Sequence, residues 1–202
     1  MTLTVQTATL VRTTDAERLE AICHAGYDWL MLDGEHPDVE RNELATMLRA
    51  IGGRLPCYAR VRTLDGDDVR HVLAHGAYGV IVPMVDTAAQ AEEAVRLVRT
   101  SAWPSAQVVV QAESATAVGN IAGIVAVPGI AWVLIGPYDL SRSLGIPEQF
   151  DAPAFNEAVR TIESACARTA VPVGIFGMTP AHTAPYVARG HQWIVVGIDR
   201  VP

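Results

Sequence analysis

The stretch Asp28-Trp29-Leu30-Met31-Leu32-Asp33-Gly34-Glu35-His36 settles the architecture before any other part of the chain is considered. Its apolar run, residues 29–32, is unbroken and too short for a helix. It therefore reads as a strand with both faces buried, the pattern of a parallel sheet. Gly26 closes the amphipathic stretch before it, and the run leads directly into two acids, a glycine and a histidine. A buried strand ending in chemistry-bearing residues is what a βα unit presents at its C-terminal edge.

The same arrangement recurs along the chain. Strand-like runs occupy residues 8–11, 29–32, 57–61, 79–82, 107–112, 132–135, 173–176 and 193–196, eight in all. Between them apolar residues fall three and four apart, as at Ala16, Leu19, Ile22 and Cys23, which is the spacing of a helix face. Gly26, Gly52, Gly76 and Gly190 stand where these helices should stop, because glycine accepts the left-handed conformation of a helix C-terminus. No Ser- or Gly-rich linker interrupts the alternation. Residues 1–202 are thus expected to form one α/β domain, a compact (β/α)8 TIM barrel, near the lower size limit of that fold. After residue 196 only Gly-Ile-Asp-Arg-Val-Pro remains, so the C-terminal eighth helix should be missing. The strand-8 side would then expose an apolar patch of roughly several hundred Å², which a homo-oligomeric partner should cover.

Half of the residues are apolar and only 18% are charged, enough for a large continuous core, which excludes a disordered or fibrous chain. The net charge of −7 and the scattered arginines leave no basic stripe for nucleic acid. Residues 121–138 are uncharged, but Pro128-Gly129 splits them into a helix-like and a strand-like half, so no membrane span is expected. No basic region followed by a long apolar stretch marks a signal peptide. Cys23, Cys57 and Cys166 are odd in number and widely spaced, which points to a reducing cytoplasm rather than to a disulfide framework. The chain has no lysine, so no Schiff base can form with a carbonyl substrate or with pyridoxal phosphate. Carbonyl activation must then come from a metal.

Candidates for that chemistry cluster at the strand ends. Gly34 permits a turn that would bring Asp33 to His36 and give an oriented imidazole base. The other five histidines lie on or beside helices and read as structural or exposed. Glu113 and Asp139 follow neighbouring strands and suit a hard divalent cation such as Mg²⁺ or Mn²⁺. On spacing alone, each equally well begins a helix. Arg60 and Arg62 share one face of the third strand, so alternation does not choose between them. Arg12, at the end of the first strand, is either an anion clamp or a solvated charge.

Taken in order, Gly26 to His36, Arg60-Val61, Gly76 to Val85, Gln111-Ala112-Glu113, Ile135 to Gly145 and Val196 to Asp199 resemble the HpcH/HpaI family of class II, metal-dependent pyruvate aldolases. The resemblance implies that Glu113 and Asp139 ligate Mg²⁺, Mn²⁺ or Co²⁺, and that His36, paired with Asp33, is the general base. It places Arg60 rather than Arg62 near the substrate carbonyl, Gln111 in the metal shell, and the backbone of Gly136, Pro137, Tyr138 and Asp139 around the substrate carboxylate. It implies retro-aldol cleavage or aldol formation of a 4-hydroxy-2-oxo acid through a pyruvate-type enolate. Two alternatives are a decarboxylase or C–C bond-forming enzyme acting on an oxaloacetate-like acid, and a catalytically silent barrel serving in an assembly. Relative to the family pattern, the link from Arg99 to the fifth strand is short, and helices before the first strand and after the last are missing.

Overall fold

The computed structural model describes residues 4–201. Eight parallel strands, β1 (Gln6–Val11), β2 (Leu30–Asp33), β3 (Cys57–Arg60), β4 (Gly79–Val82), β5 (Gln107–Ala112), β6 (Ile130–Ile135), β7 (Val173–Gly177) and β8 (Trp193–Ile198), close into a barrel in sequence order. The helices are α1 (Ala16–Cys23), α2 (Arg41–Ile51), α3 (Gly66–Ala74), α4 (Ala88–Arg99), α5 (Ala115–Val125), α6 (Pro137–Ser143), α7 (Pro153–Thr169) and α8 (Pro180–Ala188). The expected (β/α)8 TIM barrel is thus the fold found. Asp15, Asp65, Thr87, Ser114 and Thr179 cap their helices by accepting a first-turn backbone N–H.

Alternation along the strands divides the core in two. One set, including Leu30, Leu32, Ala59, Val80 and Val133, packs outward against the helices. The other, including Leu10, Met31, Tyr58, Val109, Trp132 and Leu134, fills the barrel interior. Low in that interior the rings of Trp132 and Trp193 stack at 4.8 Å, and Trp29 and Tyr58 meet them edge-on. This aromatic floor closes one end of the barrel, so only the end where the strands terminate is open to chemistry.

One expectation about the C-terminal end holds and one is corrected. No helix follows β8 among the described residues, but β6 and β7 are joined by both α6 and α7, so the helices still number eight. Nor is the strand-8 side bare. The outward-facing Ile194 and Val196 are only 2% and 9% exposed. α8 packs against β8 as well as β7, and the segment after β8 is tied to the β1 side of the rim: Asp199 N donates to Leu10 O (2.7 Å), and Arg200 O accepts from the Tyr27 hydroxyl (3.1 Å). Arg18 Nε reaches Asp199 O at 3.0 Å. Among the described residues the outer face of β8 is therefore not the bare apolar patch that was expected. No helix among the described residues is long and apolar enough to cross a membrane.

Candidate active site

Inward-facing positions at the tops of β2 and β3 supply the first pair of functional groups. β2 runs one residue further than its apolar stretch suggests, and the register sets Asp33 opposite Arg60. Asp33 is fully buried. Its Oδ1 accepts from Arg60 Nε (2.9 Å) and Nη2 (2.6 Å), and its Oδ2 accepts from Arg12 Nε (2.7 Å). Arg60 also pairs through Nη1 with Glu35. Burial raises the Glu35 carboxyl above its ordinary range, against the pull of Arg60.

This network overturns the Asp33–His36 pair. Two guanidinium groups occupy the Asp33 carboxylate, and His36 turns to its own loop, where its Nδ1 accepts from Asp38 N (3.3 Å) and lies 3.7 Å from Asp38 Oδ2. Gly34 is needed for a different reason from the one inferred. Its amide donates to Arg60 O at 2.9 Å, and a Cβ there would stand 2.7 Å from that oxygen. The Arg60/Arg62 ambiguity is also settled: Arg62 reaches outward to Val39 O (3.2 Å), while Arg60 lines the barrel mouth.

Glu113 is 1% exposed. It is not the helix cap, since Ser114 caps α5. Its Oε1 accepts from Met84 N at 2.8 Å, and Oε2 accepts from Gln111 Nε2. Met84 holds φ at 52°, a left-handed conformation uncommon for a side-chain-bearing residue, and so points its N–H at the acid. Burial pushes the Glu113 carboxyl up to about 7; the Met84 N–H and Arg60 work against this, while Glu35 and Asp139 add to it. A Cβ on Gly136 would lie 2.5 Å from Glu113 Oε2, so only glycine lets β6 pass this close. Asp139 sits in the first turn of α6, half-exposed, with Oδ1 3.3 Å from Arg142 Nη1.

Among the described residues no three Asp, Glu, His or Cys side chains are grouped as a metal cage. The donor set fits a two-carboxylate grip instead. Glu113 is a buried acid that feels the charge of two further acids, beside a Gln111 Oε1 that is buried without a partner. Each Glu113 oxygen retains a second lone pair. Hard cations such as Mg²⁺ accept one or two carboxylates and fill their other positions with water and substrate.

A cavity of about 260 Å³ occupies the open end of the barrel. It brings together Arg12, Arg60, Gln111 and the turn Gly136-Pro137-Tyr138-Asp139. Asp33, Glu113 and His36 are not on its lining: the first two are buried, and His36 stands in the loop beyond β2. α6 starts at Gly136 without a side-chain cap, which leaves first-turn N–H groups to be satisfied from outside the helix. Sequence reasoning missed Glu35 as the partner of Arg60, and Met84 as the donor to Glu113. It also missed the apolar share of the lining, Leu10, Met31, Leu134, Phe176, Met178 and Ile198. Inward alternation carried a signal for Leu10, Met31 and Leu134, whereas the Met84 contact depends on a backbone conformation without a residue-type signature.

Comparison with known proteins places these features. Residues 6–201 match the family model described as HpcH/HpaI aldolase/citrate lyase. The chain is 32% identical to a 4-hydroxy-2-oxovalerate aldolase of Rhodococcus jostii (strain RHA1), covering 92% of this chain and 82% of that one. It is 30% identical to a 2-keto-3-deoxy-L-rhamnonate aldolase of Escherichia coli O1:K1, over 96% and 83% of the two chains. Among solved structures, an HpcH/HpaI aldolase/citrate lyase family protein from Burkholderia cenocepacia J2315 superposes with a TM-score of 0.89 at 29% identity, covering 97% of this chain and 89% of that one.

Proposed function

Because the chain belongs to the HpcH/HpaI aldolase/citrate lyase family, and is thus an enzyme of the aldolase and lyase type, we propose that it cleaves and forms the C3–C4 bond of a 4-hydroxy-2-oxo acid with the help of a divalent cation. The observation that carries this reading is the buried Glu113 carboxylate, raised to about 7 in the company of Asp139 and Glu35 and next to the unpartnered Gln111 Oε1. So much oxygen-donor character in one place calls for positive charge.

Glu113 and Asp139 would hold the cation, with Gln111 beside it, and its chemistry would be Lewis-acid stabilisation of the oxyanion that develops on the oxo acid. Arg60, immobilised by Asp33 and Glu35, faces the same oxygen and needs no reorganisation as charge builds there. In the turn from Gly136 to Asp139 the substrate carboxylate is received on the N–H groups of Tyr138 and Asp139, since Gly136 N donates to Ala112 O and Pro137 has no N–H. The proton of the C4 hydroxyl passes to His36 as the C3–C4 bond breaks, which requires the loop beyond β2 to turn the imidazole from Asp38 towards the cavity. The bonding pair remains on the oxo acid as its enolate, the other half leaves as an aldehyde, and C3 then takes up a proton. A cytoplasmic location fits the free state of Cys23, Cys57 and Cys166.

Chelation should abolish cleavage of a 4-hydroxy-2-oxo acid, and added Mn²⁺ should restore it. Undiminished cleavage by Glu113→Ala after chelation would remove the basis of the proposal. His36→Asn should lower kcat roughly 10²-fold or more, the ordinary contribution of a general base.

A further inference from the structure

Polarity is segregated around the mouth of the barrel. Arg60, Gln111 and Asp139 come from β3, β5 and the first turn of α6, and with Leu134 and Ile135 of β6 they form one arc, which holds most of the polar groups of the cavity. Leu10, Met31, Phe176, Met178 and Ile198 come from β1, β2, β7 and β8 or the residue just beyond, and these strands are consecutive round the closed barrel. Arg12 is the charged residue on that second arc. It stands at the rim, 29% exposed and pinned through Nε to Asp33.

We propose that the apolar arc is the acceptor subsite and that it selects aldehydes carrying an alkyl or aryl group rather than hydroxylated or carboxylated ones. This rests on the oxo-acid reading above, in which the donor half takes the polar arc. The 260 Å³ cavity exceeds what a donor the size of pyruvate fills, which leaves room beside it. A short acceptor fits in the remainder against Phe176 and Ile198. A longer one runs along Tyr138 and Phe176, which also line a neighbouring cavity of about 280 Å³; beyond these two rings its walls turn polar at Asp151, Asn156, His182 and Arg189. Each methylene added on the apolar arc strengthens binding about fourfold. A hydroxyl in the same place meets Leu10, Phe176, Met178 and Ile198 and finds no partner, a loss of tenfold or more.

The test uses the full chain with Mn²⁺, and kcat/KM is measured for cleavage of the pyruvate adducts of acetaldehyde, pentanal, 2-hydroxypropanal and 4-oxobutanoate. The pentanal adduct should exceed both the acetaldehyde and the 2-hydroxypropanal adducts by at least tenfold. Met178→Ser, at a position 40% exposed and so tolerant of change, should reduce the pentanal to 2-hydroxypropanal ratio about fivefold. Deuterium uptake into the methyl group of pyruvate, measured first, separates the two levels of the argument: its absence overturns the oxo-acid reading itself. Uptake combined with a preference for 2-hydroxypropanal overturns the apolar subsite alone. Uptake combined with a preference for 4-oxobutanoate also overturns it and transfers acceptor recognition to Arg12.

Discussion

Asp33 has no solvent and three hydrogen bonds from two arginines, so its charge holds in place two of the groups that line the cavity. Asp33→Asn leaves Arg60 with Glu35 alone and releases Arg12. It should cost about 3 kcal/mol in urea unfolding, the scale of a broken buried ion pair, and lower kcat/KM at least 10²-fold. Wild-type values in both measurements would contradict the assignment. At Glu113 the sign of the pH effect follows from its raised carboxyl, about 7 in the folded chain against an ordinary ~4.3. The metal-free folded state binds this proton more tightly than the unfolded chain does. The resulting stability is fully present below about pH 4 and is lost as pH rises through 7. The urea midpoint of chelated protein should therefore fall between pH 5 and 8, and Glu113→Gln should flatten that fall; parallel curves for the two proteins would refute it. The residue types at this site were legible in the sequence, but their partners were not. Asp33 and His36 are three positions apart, which suggested a pair, while the true partners Arg12 and Arg60 come from neighbouring strands and are matched only by register.

At the scale of elements, the strands were readable because each is buried on both sides and so carries an unbroken apolar run. Their ends were less readable. β2 continues through Asp33 because the barrel interior there holds compensating arginines, and charge at the top of a strand looks like a loop in sequence. The expectation of a bare β8 failed because α8, the helix between β7 and β8, leans on both strands, a sharing that the order of elements along the chain does not display. The aromatic floor makes β2, β3, β6 and β8 interdependent: Trp132→Ala should cost roughly 3–5 kcal/mol of unfolding free energy. α7 is tied to the start of β8 by Glu163 Oε1 at 2.7 Å from His191 Nε2. Burial holds the His191 imidazolium below its ordinary value, against the opposing pull of Glu163. The unfolded chain thus takes up this proton first, and stability drops as pH falls below about 6.5. Thermal melts of His191→Gln should show a smaller loss between pH 7 and 5 than the wild type; a larger loss would reverse the sign assigned here.

For the whole molecule, the barrel converts sequence order into a ring of strand ends, so residues as distant as Arg12 and Asp139 face one cavity with Glu113 behind its wall. The order of the motifs along the chain made that ring legible. The division of its mouth into a charged arc and an apolar arc was not, because it depends on which strands become neighbours when β8 closes on β1. The central claim is that Glu113 and Asp139 hold a cation that allows a 2-oxo acid to become its enolate. Deuterium incorporation into the methyl group of pyruvate in D₂O, followed by mass spectrometry, addresses that half-reaction without knowledge of the acceptor. Incorporation should occur with Mn²⁺, stop on chelation, and be lost in Glu113→Gln and Asp139→Asn. Incorporation that persists at the wild-type rate in chelated protein or in both variants would contradict it.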